Sequence, residues 1–207
     1  MARHAEIPCG SAGSSRALHA GLLADGIAVE DGFLPQPRLR ELIDCVELRR
    51  TQGDFGAARV GADRRLQRRE DIRGDRTCWI AAPLFAAERA LLSDLERLRL
   101  ELNREGFLGL FDLELHYAWY PPGAGYARHI DQLQGRDQRK VSLILYLNDA
   151  WTPDAGGELR IFEGHEARDI EPIAGRLVCF LTAEREHAVL PTRQDRLSVT
   201  GWFRRRS

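Results

Sequence analysis

Two histidines, an aspartate and an arginine stand at spacings that suit redox metal chemistry. His129 and Asp131 are separated by one residue, so on an extended segment both side chains leave the same face. His187 follows 58 residues after His129 (187 − 129), far enough to return on another strand and complete a three-ligand set. Two imidazoles and one carboxylate suit an octahedral iron(II) that keeps three adjacent positions open. The four cysteines, Cys9, Cys45, Cys78 and Cys179, form no C-x-x-C pair that would turn the site toward structural zinc. Arg196 lies nine residues after His187 (196 − 187), a hairpin's distance, and offers a fixed cation to a dicarboxylate co-substrate. An inward guanidinium on an apolar strand calls for such an anion, because its desolvation must be offset.

The elements that must position these groups fall into two regions. Residues 1–15 are rich in Ala, Gly and Ser and read as a flexible tail. Residues 16–207 read as one domain, with helical support over 16–110 and a β core over 111–204. Helices are expected over 15–24, from Pro37 through Leu39, Leu42, Ile43 and Val46, and over 86–104, where Leu91, Leu92, Leu95, Leu98 and Leu102 form a stripe stopped by Gly106. Short strands are expected at 27–29, within 53–61 and at 77–80. Residues 62–76, dense in Arg and Asp, read as a long mobile loop.

From residue 112 the period changes to two, and turn signals such as Asp154-Ala155-Gly156-Gly157 separate short strands. Leu113, Leu115, Tyr117 and Trp119 share one face, as do Val141, Leu143, Leu145 and Leu147 on a later strand. In the last strand Arg196, Ser198, Thr200 and Trp202 point one way, and Leu197, Val199 and Phe203 the other. The apolar face is expected to pack on the helices and the polar-aromatic face to line a cavity. Helices followed by many short strands imply a mainly β fold with supporting helices, a barrel or sandwich.

The 207 residues are 43% hydrophobic and carry a net charge of −1, which gives no global field for nucleic acid or membranes. No apolar run approaches a membrane span, and the first fifteen residues hold no signal-peptide core. The scattered cysteines fit a reducing cytoplasm, and a monomer is the expected state.

Four stretches carry a family resemblance: Ile72-Arg73-Gly74-Asp75 with Trp79-Ile80; Tyr120-Pro121-Pro122-Gly123 through Arg128-His129-Ile130-Asp131; Tyr146-Leu147-Asn148 with Gly156-Gly157-Glu158-Leu159-Arg160-Ile161-Phe162; and His187 through Arg196 to Trp202. They resemble the iron(II)- and 2-oxoglutarate-dependent prolyl hydroxylases, particularly those acting on the hypoxia-inducible factor, in a minimal bacterial form. The resemblance implies a double-stranded β-helix, a distorted, cupin-like jelly roll. It implies Fe(II), with 2-oxoglutarate and O2 as co-substrates, ascorbate as a supporting reductant, and hydroxylation at C4 of a protein-bound proline with release of succinate and CO2. For a bacterial member it implies elongation factor Tu as the protein partner.

The same resemblance assigns roles. His129, Asp131 and His187 hold the metal. Arg196 and the Tyr146 hydroxyl hold the far carboxylate of 2-oxoglutarate, with Thr200 on the same face. Tyr120 sits beside the metal, with Trp119 as the rival across a one-residue gap. Trp202 walls the prolyl pocket, and Arg128 flanks the metal strand toward substrate. Residues 59–76, including Arg64, Arg65, Arg68 and Arg69, form a finger over a peptide, with Arg73 and Asp75 at its base and Asp75 paired to Arg139. Two other readings stay open: an oxygenase of a small molecule or free amino acid, and a non-catalytic metal-binding jelly-roll sensor.

Overall fold

The alternation after residue 112 becomes a run of antiparallel strands that close into two facing sheets. The computed structural model describes residues 12–58, 72–132 and 138–206. In chain order the elements are α1 (Ala12–Asp25), β1 (Ile27–Glu30), α2 (Gln36–Thr51), β2 (Gly56–Ala57), β3 (Arg76–Trp79), α3 (Ala86–Gly106), β4 (Asp112–Tyr120), β5 (Tyr126–His129), β6 (Arg139–Tyr146), β7 (Leu159–Glu163), β8 (Glu166–Ile170), β9 (Leu177–Leu181), β10 (Glu186–Val189) and β11 (Arg196–Arg204). The larger sheet runs β1-β9-β6-β11-β4-β3-β2 and the smaller β5-β10-β7-β8. This is the jelly roll that the family resemblance implies, and it bears out the mainly β barrel or sandwich with supporting helices that the alternating pattern implies.

Parity decides which face packs where. Leu115 and Tyr117 of β4, Leu143 and Leu145 of β6, and Val199 and Phe203 of β11 are buried in one cluster with Leu39, Leu42, Leu91 and Leu95 of the helices. Fully burying a leucine or phenylalanine contributes about 1.5–3 kcal/mol, so this face accounts for much of the fold's stability. The opposite faces of β6, β9 and β7 meet in a smaller cluster that includes Ile144, Tyr146, Phe180, Leu159 and Ile161. Tyr146 and Ile144 thus sit between the sheets, where the cavity opens.

Three local details differ from the expectations. Helix α1 begins at Ala12, three residues before the expected start; residues 1–11 lie outside the described residues. Helix α3 runs through Gly106, and the left-handed turn falls on Phe107 (φ 52°), whose N–H donates to the Asn103 carbonyl. Gly106 lies against Leu23, where a Cβ would meet the side chain at 2.6 Å, so close packing and not a turn accounts for the glycine. The expected finger, residues 59–76, is described only over 72–76, since 59–71 lie outside the described residues. Its base is fixed, with Gly74 N–H donating to Gly125 O and Ala127 N–H to Ile72 O.

Candidate metal centre and anion pocket

Strand pairing brings the two histidines together. In the β5–β10 ladder His129 and His187 are direct partners, and their ring centroids lie 4.2 Å apart. Asp131 follows just beyond β5. Its Oδ1 is 3.4 Å from His129 Nε2, and its Oδ2 is 3.6 Å from His187 Nε2. One ligand atom from each residue lies within 4.8 Å of the other two. The Nδ1 atoms are already committed, His129 to Ala127 O at 2.8 Å and His187 to Arg185 O at 3.1 Å. A carbonyl at Nδ1 fixes the tautomer whose Nε2 lone pair is free to bind metal.

The carboxylate is oriented from behind. Ser142 Oγ and Trp202 Nε1 each donate to Asp131 Oδ2 at 2.8 Å. Burial opposes ionisation of Asp131, but His187, His129 and the Trp202 hydrogen bond outweigh it and hold the carboxyl well below its usual range. Burial, together with neighbouring His129, pushes His187 down from 6.5 against the opposing pull of Asp131. An ionised carboxylate and a neutral imidazole are the protonation states that a hard divalent ion takes as ligands.

A second group of polar atoms faces the same cavity. Arg196 pairs with Tyr120 in the β11–β4 ladder and is 1% exposed. Its Nε donates to Gly157 O at 2.7 Å, and its guanidinium carbon lies 4.9 Å from the Tyr120 ring centroid and 5.1 Å from that of Tyr146. Arg196 Nη2 and the Tyr146 hydroxyl are buried without a hydrogen-bond partner among the described residues. Buried donors are nearly always paired, and one left unpaired costs about 1–3 kcal/mol. A carboxylate entering the cavity would satisfy both. The donor set therefore fits 2-oxoglutarate at this end and a divalent metal at the other. The cavity holds about 440 Å3 including its open mouth, and Ala118, Ile144, Leu159 and Val189 supply its apolar wall.

The expected site residues divide as follows. His129, Asp131, His187, Arg196, Tyr120, Thr200, Trp202 and Arg73 line the cavity; Tyr146 does not line it and is buried beside Arg196. Trp119 does not; it stacks edge-on against Phe55 and its Nε1 donates to Asp195, so Tyr120 takes the inward position. Arg128 turns outward, pairs with Glu186 and covers the Phe162 ring, because its neighbour His129 occupies the inward side of β5. Asp75 does not pair with Arg139. Arg73, two residues away, makes a forked contact to it at 2.6 and 2.9 Å, while Arg139 reaches Glu114 and lies 3.5 Å over Trp202. The local partner wins because residues two apart on an extended segment share a side.

Four contributors escaped the sequence reading. Tyr126 stacks on His129 with centroids 3.6 Å apart, and no periodic signal links positions three apart in a strand. The Gly157 carbonyl is a backbone atom with no sequence signature. Ser142 and His116 did carry a signal, a polar residue interrupting an apolar strand, and both are buried on the cavity side.

Comparison with known proteins gives a consistent picture. Residues 115–204 match the family described as the 2OG-Fe(II) oxygenase superfamily. Egl nine homolog 1 of Homo sapiens is 34% identical over 189 residues, covering 86% of this chain and 43% of that protein. The chain thus spans about half the length, 43–55%, of the Egl nine relatives it matches. A Pseudomonas putida prolyl-4-hydroxylase structure aligns with a TM-score of 0.85 and 42% identity over 93% of this chain and 99% of that one. A Trichoplax adhaerens prolyl hydroxylase, solved with a hypoxia inducible factor oxygen degradation domain peptide fragment, gives 0.81 and 28% over 92% and 88%.

Proposed function

This chain belongs to the prolyl hydroxylases of the 2OG-Fe(II) oxygenase superfamily, and from that premise we propose that it hydroxylates C4 of a proline in a protein substrate, elongation factor Tu. The family's cofactors are Fe(II), 2-oxoglutarate and O2. The observation that carries the reading is Arg196, which lines one cavity with the His129, Asp131 and His187 triad and whose Nη2 has no partner among the described residues, with the Tyr146 ring 5.1 Å from its guanidinium. A metal-binding scaffold has no use for a buried, half-satisfied guanidinium.

His129, Asp131 and His187 hold the iron through two nitrogens and one carboxylate oxygen. Ser142 and Trp202 keep the carboxylate aimed. Arg196 and Tyr146 take the distal carboxylate of 2-oxoglutarate, with the Thr200 hydroxyl on the same strand face. When bound, the iron and 2-oxoglutarate supply oxidative decarboxylation and transfer of one oxygen atom, chemistry that side chains alone lack. Tyr120, Ile144 and Val189 exclude bulk water, and Trp202 lines the part of the cavity that takes the prolyl ring. Arg73, anchored by Asp75, stands at the mouth of the pocket.

The test supplies iron-loaded protein with 2-oxoglutarate and oxygen, with and without purified elongation factor Tu. Succinate is measured, and the partner is examined by mass spectrometry. Succinate stimulated by the partner, with one added oxygen atom on a proline, is the expected result. Succinate without that mass change discards elongation factor Tu, and an array of proline-centred peptides then identifies the substrate sequence. If neither appears, the catalytic reading fails.

A further inference from the structure

The cavity holds one more buried polar side chain that the proposed chemistry leaves unused. His116 lies on β4, 2% exposed, and lines the cavity. Neither ring nitrogen has a hydrogen-bond partner among the described residues. Its ladder partners are Trp79 on β3 and Thr200 on β11. The Trp79 ring lies 5.0 Å from it, and the Trp202 ring stacks at 5.4 Å with an interplanar angle of 27°. Aromatic rings from both neighbouring strands thus cover the imidazole, and a polar partner can approach only along its nitrogen-bearing edge.

Its place in the register separates it from the co-substrate anchor. His116 pairs with Thr200, four residues along β11 from Arg196, or about 13 Å at the usual rise. A five-carbon diacid held at Arg196 does not cover that distance and still reach the metal. On its other side His116 meets Trp79, which is 53% exposed. The imidazole therefore stands on the β3 side of the cavity, away from the co-substrate anchor. Burial, with Arg73 and Arg139 nearby, pushes its pKa down to about 3, so it is neutral and carries one N–H donor and one acceptor. A neutral donor-acceptor edge in a tight wall matches a neutral group better than an anion.

Resting on the prolyl hydroxylase reading, we infer that His116 is a substrate-positioning residue that hydrogen-bonds the peptide group on the C-terminal side of the target proline. That peptide group carries both a carbonyl and an N–H. The group on the N-terminal side has no N–H, because its nitrogen is the prolyl ring nitrogen. A peptide N–H donating to the acceptor nitrogen of the imidazole exchanges an unpaired buried polar atom for one hydrogen bond, and it fixes the proline within the cavity that Trp202 lines.

The test is a coupling measurement under nitrogen, with iron and 2-oxoglutarate bound so that no turnover occurs. The probe is the proline-centred peptide best bound in the array, made with the amide after the proline and again with an ester in its place. The ester removes the N–H and weakens the carbonyl acceptor. Calorimetry should show the ester costing wild-type protein about tenfold in affinity. His116→Phe should bind the amide peptide about tenfold more weakly and lose most of its ability to discriminate amide from ester. His116→Gln, which keeps a donor and an acceptor, should regain part of that discrimination. An equal ester penalty in wild type and His116→Phe overturns the inference while leaving prolyl hydroxylation standing. If wild type binds no proline peptide, the reading beneath it falls, and the inference with it.

Discussion

Replacing Arg196 by methionine should separate what the site costs from what it does. The guanidinium is 1% exposed, with one bond to the Gly157 carbonyl and a buried Nη2 without a partner. An apolar chain of similar length removes that desolvation, and such replacements are neutral or stabilising by about 1–4 kcal/mol. In a chain of this size each kcal/mol moves the melting temperature by about 2–4 °C. Without 2-oxoglutarate, Arg196→Met should therefore melt at or above the wild-type temperature. With 2-oxoglutarate the order reverses. The arginine's bonds to a carboxylate contribute about 1.5–3 kcal/mol each, so losing two weakens binding by roughly two to four orders of magnitude.

Calorimetric melting of iron-loaded protein under nitrogen reads both effects. At a ligand concentration of about a hundred times its Kd, wild type gains roughly 2.7 kcal/mol, a rise of about 5–10 °C. The variant should rise by no more than about 2 °C at that concentration. Two results would refute the reasoning: a ligand-free variant melting far below wild type, which makes Arg196 a structural residue, or a variant that keeps the ligand-induced rise.

Other perturbations test separate parts of the site. His129→Ala and Asp131→Ala should each lose bound iron and succinate formation together; a colorimetric iron assay showing wild-type content in either removes the ligand assignment. Ser142→Ala deletes one donor to Asp131, and titration should find iron bound about tenfold more weakly. Gly157→Ala forces a side chain onto φ +70°, with its Cβ 3.0 Å from Arg196 Cδ; 2-oxoglutarate affinity should fall alongside a loss of about 1–3 kcal/mol in stability. His116 has a folded-state pKa of about 3 against an ordinary 6.5, so the unfolded chain binds the extra proton. Its contribution is present above pH 6.5 and is lost as pH falls toward 3, by up to about 1.4 kcal/mol per pH unit. Denaturant melts of metal-free protein should show a shallower acid limb in His116→Phe, and an unchanged slope would contradict a neutral, buried imidazole.

How legible the site was depended on how local the information is. Alternation is local, so the faces of β4, β6 and β11 could be read directly, and the cavity-facing side of β11 is as its parity implied. The triad was legible because its residue types carry the chemistry and two of its members lie two apart. The rest depends on register, which no short window contains. Tyr126 reaches His129 through a turn, and Gly157 meets Arg196 across 39 residues of chain. The Asp75–Arg139 pairing failed for the same reason: a cross-strand partner was inferred where a neighbour two residues away was geometrically better placed.

The three strands β4, β11 and β6 carry both stability and function on opposite faces. Leu115, Tyr117, Leu143, Leu145, Val199 and Phe203 on one face are buried against the helical side. On the other face His116, Arg196 and Tyr146 are buried with polar atoms that have no hydrogen-bond partner among the described residues. Selection for stability alone would not keep three such groups, since each costs about 1–3 kcal/mol until a ligand arrives. The well-packed face offsets that cost and fixes the register, so His116 and Arg196 stay directed into the cavity, with Tyr146 buried beside Arg196. Loosening the packed face, for example by Leu143→Ala, should therefore weaken 2-oxoglutarate binding as well as stability, although Leu143 lies on the face away from the cavity. Titration calorimetry finding wild-type 2-oxoglutarate affinity in that variant would show that the anion pocket is held by its own contacts and owes nothing to the packed face.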